Sequence, residues 1–174
     1  MFRFIFLIII FFKISQIIAY SSEIPIIVIT PSKITQSYSS VGSAISSIDS
    51  EIIDNSGKFF LSGILDNNLP GMNYFRSGGD GTVTGIQLRG LPKRYSTIYI
   101  DGVKMSDPST SDNSFYFSNV MNSSIERVEV LRGSQSSVYG SGAIGGTINI
   151  FTKEGNSDGI NRIDITKGSN NTKN

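Results

Sequence analysis

Residues 125–152 read IERVEVLRGSQSSVYGSGAIGGTINIFT. From Ile125 to Leu131 apolar and charged residues alternate, which predicts a strand with one face covered and the other wet. Ser134 to Tyr139 predicts a short turn or helix, and Thr147 to Thr152 is β-branched and predicts a second strand. Between them, Gly140-Ser141-Gly142-Ala143-Ile144-Gly145 satisfies the G-x-G-x-x-G spacing of dinucleotide sites. That chemistry needs a strand before the glycines and a helix after them, whose free amide groups hold the pyrophosphate. Here a Ser-rich turn precedes and a strand follows, so a nucleotide site is rejected. The glycines instead permit left-handed angles and close backbone approach beside a strand.

Upstream the order is mixed. Ala44 to Ile48 predicts a short strand, and Asp49 or Ser50 can cap a brief helix through Asp54. Lys58 to Asn67 repeats apolar residues at helical spacing (Phe60, Leu61, Ile64, Leu65), and Leu69-Pro70-Gly71 stops it. Met72 to Phe75 predicts a strand before the turn Ser77-Gly78-Gly79-Asp80-Gly81. Thr84 to Gly90 alternates with period two, and Thr97 to Ile100 meets Asp101-Gly102, a tight-hairpin dipeptide. Pro108 to Ser114 is a polar loop. Short helices among short strands make the class α+β, with a small mixed sheet.

The N-terminus sets the compartment. Arg3 precedes nine apolar residues, Phe4 to Phe12, which make about 14 Å of helix against a hydrocarbon core of about 30 Å. Extending the span to Tyr20 places Lys13 near its middle, at about 2.5–3.5 kcal/mol. A basic start, a short apolar stretch and small residues at Ala19 and Ser21 read as a cleaved secretory signal over residues 1–21, rather than an uncleaved anchor. Residues 22–43 are polar and Ser-rich except for the island Ile24-Pro25-Ile26-Ile27-Val28-Ile29-Thr30, which predicts an extended segment. It reads either as the domain's first strand or as a tethered strand that another protein pairs with.

Composition removes most enzyme chemistry. The 174 residues hold no Cys and no His, so thiolate nucleophiles, disulfides and the commonest general base are excluded. Fifteen Lys and Arg against 14 Asp and Glu give a net charge of +1, unlike the basic footprint of a nucleic-acid binder. Glu126 and Glu129 are three apart on a strand and point to opposite faces, which rules out a paired-carboxylate site. Asp101 belongs to its turn. Asp107 and Asp112 lie in a polar loop without the dense acidic spacing of a calcium loop. No catalytic residue, metal site or cofactor is expected, and the chain reads as a protein that binds rather than an enzyme.

Several blocks, taken together, resemble the plug domain of TonB-dependent outer-membrane receptors. They are Leu69-Pro70-Gly71-Met72, Ile86-Gln87-Leu88-Arg89-Gly90, Tyr99-Ile100-Asp101-Gly102-Val103, Val128 to Gly140, and Ala143 to Ile150. Their order and spacing are similar to the family's over roughly Ile26 to Lys153, most of all its cobalamin-receptor branch. The resemblance implies a plug over residues 44–155 and an energy-coupled role in uptake of cobalamin or a ferric siderophore. It implies three partners: the periplasmic TonB protein, a β-barrel, and the cobalamin or metal-chelate ligand. Location would be the periplasmic side of the cell outer membrane. By the same resemblance Ile26, Ile27, Val28, Ile29 and Thr30 form the TonB box. Arg89 and Arg132, in the two Leu-Arg-Gly motifs, would face acidic groups on the barrel wall. Ligand-facing loops would carry Arg76, Asp80, Arg94, Tyr95, Asp107 and Tyr116.

A receptor barrel of this kind closes about 22 strands of about 10 residues each. Fifteen residues follow Gly159. Residues 156–174 therefore read as the start of a first barrel strand and a truncated tail. The expectation is a truncated or split receptor, with a plug docking in trans or a stand-alone periplasmic binding module as alternatives.

Overall fold

The computed structural model describes residues 41–155 together with the pairs Ile27–Val28 and Gln36–Ser37. The expected signal at 1–21, most of the tether, and the expected barrel strand in 156–174 lie outside the described residues. In chain order the elements are β1 (Ile27–Val28), β2 (Gln36–Ser37), β3 (Ala44–Asp49), α1 (Ser50–Asn55), α2 (Leu61–Asn68), β4 (Met72–Arg76) and β5 (Thr84–Leu88). A 3-10 turn at Lys93–Tyr95 follows, then β6 (Ser96–Ile100), β7 (Val103–Met105), β8 (Ile125–Arg132), α3 (Ser136–Tyr139) and β9 (Gly146–Thr152). No helix of the described residues is long and apolar enough to cross a membrane.

Among the described residues the main sheet has five strands in the order β3-β8-β9-β6-β7. All its pairs are antiparallel except β6 with β9, so the sheet is mixed as expected. One face carries Ile48, Val128, Val130, Ile98, Ile148 and Ile150, which pack with Ile53, Leu61, Ile64, Leu65 and Phe117 into the principal core. Asp49 caps α1 by accepting from the Ile52 amide at 3.3 Å, as its sequence predicts. The second helix begins three residues later than its periodicity suggests. Phe59 and Phe60 are drawn into backbone pairing with 120–122: Leu61 N donates to Val120 O at 3.0 Å, and Asn122 N to Phe59 O at 3.0 Å. Phe60 offers no side-chain cap, so this tertiary bridge fixes where the helix starts.

The opposite face of β8 departs from the alternation rule. It was expected to be wet, yet Glu129 is 0% exposed. The reason lies downstream: α3 and the glycine cluster fold back over that face, held by Gly133 N to Gly145 O at 3.0 Å and Gln135 N to Ala143 O at 2.8 Å. Tyr139 and Ala143 are buried beneath this return. Register sets Glu129 opposite Asn149, and Thr147 beside Thr97, whose hydroxyls bond at 3.0 Å. Arg127 Nε lies 3.0 Å from Glu129 Oε1, and the guanidinium stacks 4.6 Å from the Phe151 ring centroid. The second face is thus a buried polar layer held by the Arg127–Glu129 ion pair and the threonine bond, not a solvated one.

Two glycines hold backbone angles that a side chain resists, to different degrees. Gly102 follows Asp101 in the β6–β7 hairpin with φ values of 80° and 48°, a left-handed pair with open space around Gly102. Gly146 has φ 148°, and a Cβ there would meet the Leu131 carbonyl oxygen at 2.3 Å. Backbone strain and a clash with fixed backbone act together at Gly146, whereas only strain acts at Gly102. Gly146→Ala should therefore lower unfolding free energy by about 3 kcal/mol or more, and Gly102→Ala by about 1 kcal/mol. Chemical denaturation of both variants checks this, and equal losses would sink the account.

Candidate functional site

The loops expected to face a ligand converge in space. Phe117 N donates to Thr84 O at 2.8 Å and Thr84 N to Ser118 Oγ at 3.3 Å, which ties the end of the 77–83 turn to the long 106–118 loop. Lys93 Nζ donates to both Asp112 oxygens at 3.0 and 2.8 Å and sits 4.7 Å from the Tyr116 ring centroid, tying the 3-10 turn to the same loop. Inside that loop, Asp107 accepts from Ser109 N at 2.9 Å and Ser109 Oγ at 2.6 Å, the self-bonding that lets a short acid hold a turn.

Two grooves open between these loops. One, of about 540 Å³, is lined by Val83, Asp107, Phe115, Tyr116 and Val120 among others. The second, of about 560 Å³, is lined by Arg94, Ser96, Lys104, Asp112 and Ser114 among others. The structure thus brings Asp107 and Tyr116 together and places Arg94 in the neighbouring groove. Arg76 and Asp80 instead pair with each other across their own turn, with Arg76 also bonding the Tyr74 hydroxyl at 3.2 Å. Tyr95 lines neither groove. It lies beneath the Arg94 guanidinium, 4.7 Å from ring centroid to carbon, and accepts its hydrogen bond at 3.1 Å. Lys93, Ser96, Lys104 and Ser114 were not singled out from sequence, because nothing local marks them. Their roles arise from contacts across the chain.

The two motif arginines separate in role. Arg132 donates to Pro70 O at 2.9 Å and Ser46 Oγ at 2.7 Å, so both terminal nitrogens are engaged within the chain. Arg89 adopts φ 54°, with its amide bonded to Gly71 O at 2.7 Å. Its side chain is exposed and reaches beside Gly133, next to Arg132, without an acidic partner among the described residues. Of the TonB-box residues, Ile26, Ile29 and Thr30 lie outside the described residues. Ile27 and Val28 form β1, which pairs antiparallel with β2, Ile27 opposite Ser37 and Val28 opposite Gln36.

Charge at the loop junction is set by Lys93 and Asp112. The Lys93 hydrogen bond, then Ser114, hold the Asp112 carboxyl well below the usual carboxylate range. Burial alone would lower the Lys93 ammonium, but its bonds to Asp112 and Tyr116 more than offset this and raise it. Hydrogen bonds from Ser109 likewise lower Asp107. Since the folded Asp112 value lies below the unfolded one, its contribution is present above about pH 3.9 and fades as the pH falls from there. In Lys93→Met the Asp112 carboxyl should titrate upward toward about 3.9, followed by its carboxyl NMR shift. No movement would remove Lys93 as the cause.

Comparison with known proteins agrees with this geometry. Residues 37–147 match the family model described as the TonB-dependent Receptor Plug Domain. The chain is 35% identical to the vitamin B12 transporter BtuB of Photobacterium profundum over 139 residues, covering 79% of this chain and 22% of that protein. It is 33% identical to the BtuB of Vibrio vulnificus over 126 residues, covering 72% and 20%. The chain therefore spans about one-fifth of the length of these curated relatives. Among solved structures, the ferric-catecholate import receptor Fiu from E. coli K12 is similar at TM-score 0.52 and 27% identity, covering 71% of this chain and 16% of that one. The ferric enterobactin receptor PfeA from Pseudomonas aeruginosa is similar at TM-score 0.50 and 28% identity, covering 64% and 18%. On the family match and these identities, the chain belongs to the plug-domain family of TonB-dependent receptors.

Proposed function

We propose that this chain is the plug of an outer-membrane receptor that takes up cobalamin or a ferric siderophore and is driven by the periplasmic TonB protein. The observation that carries the reading is the extent of the family match, which coincides with the folded sheet domain and its converging loops. Similarity to vitamin B12 transporters at 33–35% identity favours cobalamin as the ligand. The role is one of binding and movement, without catalysis.

In this reading the loops around Asp107, Tyr116 and Arg94 face the ligand, and Arg89 offers the barrel wall a guanidinium that has no acidic partner among the described residues. A charge enclosed by such a wall needs an acidic partner to offset its desolvation. TonB is captured at residues 26–30. A strand added to a sheet edge gains main-chain hydrogen bonds at about 0.5–1.5 kcal/mol each, enough for a reversible grip. Pairing with β2 occupies one edge of β1, and the other edge is where TonB adds.

Proline at position 28 removes the amide donor and is poorly tolerated in a paired strand. Val28→Pro should abolish cross-linking of the chain to TonB while the sheet of residues 44–152 keeps its circular dichroism and melting temperature. Undiminished cross-linking of that variant would overturn the assignment of the TonB segment.

A further inference from the structure

We propose that the groove between the 3-10 turn, the start of β6, β7 and residues 112–114 is a binding site for an oxyanionic group, a phosphate or a carboxylate. Its lining includes Arg94, Lys104 and the hydroxyls of Ser96, Ser106 and Ser114. Ser96 is 8% exposed and its hydroxyl has no hydrogen-bond partner among the described residues, although buried hydroxyls in native folds are normally paired. Ser114 is 5% exposed, and its hydroxyl lies near enough to Asp112 to help lower that carboxyl, yet it makes no bond of normal geometry. Ser96, left without a partner on the wall of the groove, is placed to donate to something that enters it, with the Ser114 hydroxyl beside Asp112 on the same wall.

The charge around them is positive on balance, because the acid on the lining is paired. Arg94 and Lys104 line the groove, are exposed, and have no acidic partner among the described residues. Asp112, the acid on the lining, has both oxygens engaged by Lys93 and accepts in addition from the Ser114 amide at 3.2 Å. Its charge is therefore offset before any ligand arrives, and the groove as a whole favours an anion. Charge-assisted bonds from a guanidinium and an ammonium, with hydroxyls behind them, are the donor set suited to phosphate and carboxylate oxygens. The other groove, with Val83, Phe115 and Val120 on its walls, lacks this character.

A volume of about 560 Å³ exceeds what a bare oxyanion fills. The group is accordingly either one end of a larger ligand or a free ion with its water. That it belongs to the imported ligand rests on the plug reading above; the binding itself does not.

The full chain is titrated with inorganic phosphate and with citrate, followed by amide NMR shifts at Ser96, Lys104 and Ser114. Saturable shifts confined to these residues are expected. The double variant Arg94→Gln, Lys104→Gln should bind at least tenfold more weakly, and both substitutions lie on the surface where folding is unaffected. Ser96→Ala should weaken binding three- to tenfold without lowering the melting temperature of the empty protein, since the hydroxyl it removes has no partner there. Tighter binding of citrate assigns the site to a chelate's carboxylates, and tighter binding of phosphate to a phosphate group. Absence of saturable binding to the unaltered chain, or equal affinities in all variants, overturns the site. A chain captured by TonB that binds neither anion overturns the site alone. Phosphate binding by a chain that TonB never captures supports the site and overturns the proposed TonB-driven role alone.

Discussion

Strands β8 and β9 are covered on both faces, and the remaining elements are arranged around that double burial. Val128 and Val130 pair with Ile150 and Ile148 across the ladder and face the helices. Their alternates, Glu129 and Leu131, face Asn149 and Thr147 beneath the glycine-rich return. A slip of one residue would exchange these sets, placing a carboxylate in the apolar core. The polar layer therefore fixes register as firmly as the apolar one, and a partner for Glu129 is a structural requirement.

That register also decides where the loops emerge. Gly146 lies beside both Ser96 and Arg132. The 3-10 turn, the glycine cluster and the motif arginine consequently gather at one end of the sheet. At the other end, Asp101 clamps Thr152 through bonds of 2.9 and 2.7 Å. The end rich in donors is the one with the oxyanion groove, and Lys93 with Asp112 pins the long loop across it. Function on this fold is a matter of loops held by a rigid sheet.

Local chemistry was legible wherever it was self-contained. The Asp49 cap, the Asp101-Gly102 hairpin and the strand at 147–152 follow from residue types at fixed offsets, and each appears as expected. The strand that follows the glycine cluster is visible in its β-branched residues, and β9 stands there in place of a helix. One face of β8 was expected to be wet because alternation reports a pattern and cannot report what returns to cover it. The start of α2 was misplaced because Phe59 and Phe60 obey a bridge to residues more than 50 positions away. Arg89 and Arg132 sit in near-identical motifs, yet one is engaged by Pro70 and Ser46 and the other is exposed.

The sequence by itself determined the class, the family and the order of elements, since these depend on periodicity, turn residues and motif spacing carried within short windows. Tertiary structure alone decided which polar groups are buried, which cations stay free and which hydroxyls line a common groove. Those properties depend on the neighbours a residue meets across the sheet, and Ser96, Lys104 and Ser114 meet only when the chain is folded.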